Sequence, residues 1–123
     1  MNAVLWQRLE GALVFASALT IYGLTSSEEL AWWAAFLWFF SPDLSFAAYL
    51  AGPRIGALGY NAVHLNGFGA AIVAGGIIFA CPLAVALGWL WLGHAGFDRM
   101  FGYGLKLPTS FQDTHLGRIG KDR

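Results

Sequence analysis

Apolar residues fall along the chain in four runs long enough to cross a bilayer, each bounded by a short polar break. A hydrocarbon core of about 30 Å needs about 20 mostly apolar residues per helical crossing. The first run goes from Leu9 to Thr25 and stops at Ser26, Ser27, Glu28 and Glu29, a cluster suited to one helix end and the next helix start. The second, Leu30 to Leu50, is interrupted at Ser41-Pro42-Asp43. There Ser reads as an N-cap and Pro as a first helical position, so this crossing is expected to kink or restart. The third extends from Ile55 to Phe79 and the fourth from Leu83 to Met100, joined tightly through Ala80-Cys81-Pro82. From Phe101 onward Gly102, Gly104, Pro108, Gly117 and Gly120 break any long helix. The pattern predicts an all-α fold: a four-transmembrane-helix bundle over residues 1–100, with residues 101–123 a short cytoplasmic C-terminal tail packed on it.

Composition supports the membrane reading, since 58% of the 123 residues are apolar and 11% charged, against roughly 25% charged in soluble domains. Aromatic residues make up 16%, which suits rings at lipid headgroups and acyl tails. Seven Lys and Arg balance seven Asp and Glu, leaving no basic excess for a phosphate backbone, so nucleic acid is not an expected partner. A single cysteine, Cys81, excludes an internal disulfide framework and a cysteine-ligated metal cluster. Folded into four crossings, the chain puts Arg8, Arg54, Arg99, Lys106, Arg118, Lys121 and Arg123 on one side and Glu28 and Glu29 on the other. The positive-inside rule then makes both termini cytoplasmic. Phe15-Ala16-Ser17-Ala18 resembles a signal-peptide cleavage site only superficially, because Glu10 opens the apolar stretch and the small residues lie within it. The third run carries Gly56, Gly59, Gly67, Gly69, Gly75 and Gly76, which permit close helix approach.

An ionisable side chain at the bilayer centre costs about 2.5–3.5 kcal/mol on insertion scales, so each one needs a reason. A rise of 1.5 Å per residue puts Asp43, His64, His94 and Asp98 roughly 7–13 Å below the cytoplasmic surface, so three helices deliver polar groups to one slab. His94 and Asp98 stand one turn apart on one face, as do Tyr60 and His64, and Asn61 faces nearly the same way. Glu10 joins from the first crossing, shallower on the same side. Two imidazoles and two or three carboxylates form a ligand set for a divalent metal such as Zn or Mn. Each also has a plainer reading. Asp43 suits a helix N-terminus, His64 a hydrogen-bonded interior position, and His94 with Asp98 a self-neutralising pair. Arg99 reads either as a snorkelling anchor or as a cation that holds an anionic substrate. His115 reads either as solvated or as folded back over the polar site. Trp32, Trp33, Trp38, Trp89 and Trp91 read as lipid-facing or interfacial.

Arg8-Leu9-Glu10-Gly11, Ser41-Pro42-Asp43-Leu44-Ser45, Ala51-Gly52-Pro53-Arg54, Gly59-Tyr60-Asn61 with His64, Gly93-His94 with Phe97-Asp98-Arg99, and Asp113-Thr114-His115-Leu116-Gly117 together resemble a family of small bacterial integral membrane proteins known as domain of unknown function 4260. That resemblance spans nearly the whole chain and implies a multi-pass protein of the bacterial inner membrane. A second resemblance is to LexA-regulated membrane-bound metal-dependent hydrolases. Pro42-Asp43-Leu44 looks like the start of their Pro-Asp motif, His64 like the last His of their middle motif, and His94 through Asp98 like their Ser-His-x-x-x-Asp motif. Ser45 and Tyr60 stand where those proteins carry a second Asp and a further His, and Glu10 where they offer an N-terminal His.

The combined reading is a membrane-bound metal-dependent hydrolase with a cytoplasm-facing site. In it Asp43, His64, His94 and Asp98 hold the metal, Glu10 or a site carboxylate accepts a proton, and Tyr60, Asn61 and Arg99 orient substrate. The alternative is a non-enzymatic accessory subunit of a larger membrane complex, or a homo-oligomer, whose buried polar groups only fix helix register. The lipid bilayer is a partner under both.

Overall fold

The computed structural model describes residues 2–119. Gly120, Lys121 and Arg123, counted above as breaker and basic residues, lie outside them. Helix α1, Ala3–Thr25, begins before the apolar run because the Asn2 side chain caps it, accepting the Leu5 amide at 2.9 Å. Helix α2, Trp32–Phe40, passes directly into a 3-10 helix, Ser41–Ala51, with Pro42 in its first turn. The break falls where it was expected, but Ser41 is not its cap. Its hydroxyl donates back to the Trp38 carbonyl at 2.6 Å. Gly52, at φ 106, turns the chain into α3, Pro53–His64.

The third apolar run is two helices rather than one. Leu65 is extended, so α3 ends at His64 and α4, Asn66–Ile78, leaves at a bend of 47°. Helix α5 then runs over Pro82–Met100. Length and composition do not mark all four expected crossings. Among the described residues, Ala3–Thr25 and Trp32–Ala51 are long and apolar enough to cross a membrane, and the bent pair makes a third if it is one span. Helix α5 falls short because its last two turns carry His94, Asp98 and Arg99, whose polarity offsets its leucines.

Small residues bring the helices together, and large ones face out. Side chains added at Gly69 and Gly88 would lie 2.6 Å from the Leu92 and Val73 amides, so α4 and α5 touch backbone to backbone; Gly11 and Gly96 do the same for α1 and α5. Half of the buried hydrophobic side chains are alanines, Ala18, Ala86 and Ala95 among them, whereas Leu24, Trp32, Leu50 and Phe79 are each more than 80% exposed. That inversion suits a molecule whose surroundings are hydrocarbon rather than water. After α5 the chain folds irregularly and closes with a two-stranded antiparallel hairpin, β1 Asp113–Thr114 and β2 Gly117–Arg118.

Candidate metal centre

Leu87, Trp91, His94 and Asp98 recur at the three- and four-residue spacing that puts them on one face of α5. That face meets α2, the 3-10 helix and α3. The Trp38 indole donates to the Leu87 carbonyl at 3.0 Å and the Trp91 indole to the Val63 carbonyl at 2.7 Å, so these two indoles, expected to face lipid, join helices. Where α3 stops at Leu65, its last carbonyls lose their intrahelical partners. Trp91 takes Val63, and the buried Arg99 guanidinium takes the His64 carbonyl at 3.3 Å. The helix end that carries His64 is thus held in place from α5.

On this scaffold Asp43, His64, His94 and Asp98 converge. One donor atom from each lies within 4.8 Å of all the others, and together they form a cluster able to hold a metal ion. His64 Nε2 is 3.3 Å from Asp43 Oδ1 and 3.4 Å from Asp98 Oδ2. His94 Nε2 is 3.1 and 3.2 Å from the same two oxygens, and the two Nε2 atoms are 3.2 Å apart. A tetrahedral shell with bonds of about 2.0–2.2 Å has donor–donor edges of about 3.3–3.6 Å, so five edges of the observed set are close to those of a four-ligand shell. The tautomer of His64 fits the same purpose. Its Nδ1 lies 2.8 Å from the Tyr60 carbonyl and donates to it, which leaves the Nε2 lone pair pointing into the cluster. In the neutral ring, a lone pair facing two carboxylates and a second imidazole nitrogen is repelled by all three unless a metal cation, or a proton on Nε2 itself, stands between them. Two carboxylates with one divalent ion are also neutral, which suits a low-dielectric setting.

The surroundings of the cluster are asymmetric. The imidazole side is closed, with His64 and His94 side chains 3% and 1% exposed, while Asp98 and Asp43 are 12% and 36% exposed. Phe39 and Phe40 set their edges against the His94 ring, and Tyr60 stacks on His64 with centroids 3.7 Å apart. Both carboxylates line a cavity of about 380 Å³ that Tyr60 and Lys106 also line. An ion held here is reached from the carboxylate side.

The sequence matches, over residues 4–119, the family described as Domain of unknown function (DUF4260). The chain belongs to this family. No curated protein and no solved structure matches it, and nothing in these comparisons supports a relationship to the LexA-regulated hydrolases. Within this DUF4260 chain, the two positions that depart from the hydrolase motifs serve differently. The Ser45 hydroxyl is buried without a hydrogen-bond partner, and the Tyr60 hydroxyl donates to Asp98 Oδ2 at 3.2 Å.

The remaining expected site residues lie apart from the ligand cluster. Glu10 is exposed on α1, beside Trp89 and Leu92. Leu92 is about 200° around α5 from His94, and Trp89 about 180° from Asp98, so Glu10 stands on the far side of that helix from the cluster. Asn61 is clamped to the tail, its amide donating to the Lys106 carbonyl at 2.8 Å and its oxygen accepting the Lys106 amide. Arg99 is committed to the His64 carbonyl. His115 is exposed and accepts the Leu105 amide on Nδ1 at 2.8 Å, shaping the tail rather than capping the cluster. Sequence reasoning missed Lys106, which is 4% exposed and lies over the rings of Phe111 and Tyr60, at 3.8 and 4.9 Å from their centroids. Burial lowers its ammonium to about 8, against the opposing pull of the Asp98 and Asp43 carboxylates. In the sequence it is one basic residue of an irregular tail, with no periodicity to mark it.

Proposed function

We propose that this protein is an integral membrane, metal-dependent hydrolase whose ion is held by Asp43, His64, His94 and Asp98 and approached from the cytoplasmic side. The observation that carries the reading is the convergence of four donor atoms from three separate elements on one point, with both carboxylates opening onto a cavity. A divalent ion such as zinc or manganese would lower the pKa of water and polarise an ester or phosphoryl oxygen there. The chain's own groups do the rest. His64 and His94 close the back of the site, and Tyr60 holds Asp98 through its hydroxyl. Asp43 engages the imidazoles with Oδ1, leaving Oδ2, on the more open carboxylate, as the atom placed to take a proton. Glu10, the other acceptor considered, lies across α5. Asn61 acts on the tail, and Arg99 on the end of α3.

Elemental analysis of the full chain purified in detergent tests this directly. The expected result is one divalent ion per chain after incubation with zinc or manganese, lost in His94→Ala and in Asp98→Asn while both variants still insert. A wild type that binds no metal, with variants that are only less stable, ends the hydrolase reading. It favours the non-enzymatic accessory subunit, in which the same four residues fix helix register within a larger complex or a homo-oligomer.

A further inference from the structure

Lys106 is a nearly fully buried cation for which the structure provides two aromatic faces and, among the described residues, no carboxylate within salt-bridge distance. It lines the same cavity as Asp43, Asp98 and Tyr60. An ammonium held out of water carries a large desolvation cost that cation–π contact offsets only in part. Nothing in the helical frame requires a lysine here, because the tail is tied down by the backbone of Lys106, through Asn61, and not by its side chain.

Charge balance across the cavity indicates what its ligand carries. Without an ion and with both imidazoles neutral, two carboxylates and one ammonium sum to one negative charge, and an anion is repelled. With a divalent ion in the cluster the sum is one positive charge, with cationic centres on two walls of one space of about 380 Å³. We infer that this cavity binds a phosphate group, held between the ion of the Asp43, His64, His94 and Asp98 cluster and the Lys106 ammonium. A tetrahedral oxyanion can present oxygens to two walls at once, and lysine serves phosphate as a point charge. The remaining walls include the apolar rings of Phe46, Phe97 and Phe111, which suit the carbon portion of a phosphate ester. The inference rests on the metal reading and names the substrate class for the same site.

The test uses the full chain in detergent, loaded with manganese, and inorganic phosphate as the probe. Metal content is measured first and reports on the metal reading alone. If no manganese binds, that reading fails and the phosphate site fails with it. If manganese binds, the 31P signal of phosphate should relax faster than with chelator-treated protein. An unchanged signal overturns the phosphate site and leaves the metal reading standing. Lys106→Met should keep its manganese and bind phosphate about tenfold more weakly or worse, and equal affinity overturns the role of the lysine. Should that variant not fold, the wild type still decides. Phosphate should slow reductive methylation of Lys106 in the manganese-loaded protein, and undiminished labelling counts against the proposal. Competition by glycerol 3-phosphate and by dihexanoyl phosphatidic acid separates the two sources of such a group. Stronger competition by the lipid assigns a membrane substrate, and equal competition a water-soluble ester.

Discussion

His64 shows how much one side chain is asked to satisfy at once. Its Nδ1 donates to the Tyr60 carbonyl, its ring stacks on the Tyr60 ring, its own carbonyl accepts from Arg99, and its Nε2 enters the cluster. Tyr60 is the common element, because its hydroxyl also reaches Asp98 Oδ2. Groups that orient metal ligands in this way are worth about 10–100-fold in metal affinity. Tyr60→Phe should therefore keep the ring stack and the fold but weaken zinc binding by about that factor, read by chelator competition at unchanged helical content. Unaltered affinity would mean that Asp98 is held without the hydroxyl.

At the scale of elements, the close contacts between helices depend on which glycines have neighbours. A side chain added at Gly88 would lie 2.6 Å from the Val73 amide, whereas one added at Gly75 meets nothing within 4 Å. Both positions are helical. Gly88→Ala should destabilise the protein by about 1–3 kcal/mol, because α4 cannot yield at its backbone. Gly75→Ala should be neutral or stabilising by up to about 1 kcal/mol, since only helix propensity changes. Thermal unfolding of the two variants in one detergent checks the contrast, and equal effects would mean that helix packing does not govern it. The glycine pattern was legible in the sequence as a sign of close approach. Which glycines are in contact was not, because α3 and α4 turn different faces to their neighbours after the bend at Leu65.

For the whole molecule, the question is which way the cluster faces. The basic residues of α1, the α3 start, the end of α5 and the tail sit at one end of the apolar runs, and Glu28 and Glu29 lie between α1 and α2 at the other. Reporter fusions at both termini are expected to read cytoplasmic, and an insertion between Ser26 and Ser27 external. An external C-terminus would put the cavity on the opposite surface and remove the cytoplasmic assignment. The large exposed apolar side chains of α1 and α2, such as Leu13, Leu24, Trp32 and Leu37, require a hydrocarbon or protein cover on this molecule.

The sequence by itself determined the helical class, the apolar runs and the four residues of the cluster. Long apolar runs and isolated polar residues at a common depth are local properties, and Asp43, His64, His94 and Asp98 could be picked out by depth and helical spacing before any contact was known. It also located the break at Ser41-Pro42, where proline constrains the backbone whatever surrounds it. Tertiary structure alone decided the rest. It split the third run at Leu65, where Trp91 and Arg99 supply the partners that the freed carbonyls need. Depth along a helix axis says nothing about the side of a neighbouring helix on which a residue falls, so Glu10 was expected at the cluster and lies across α5 from it. Lys106 entered the site for the complementary reason: an irregular tail has no period to read, and tertiary contacts, the clamp at Asn61 and the bridge to Thr114, bring it over the Tyr60 ring.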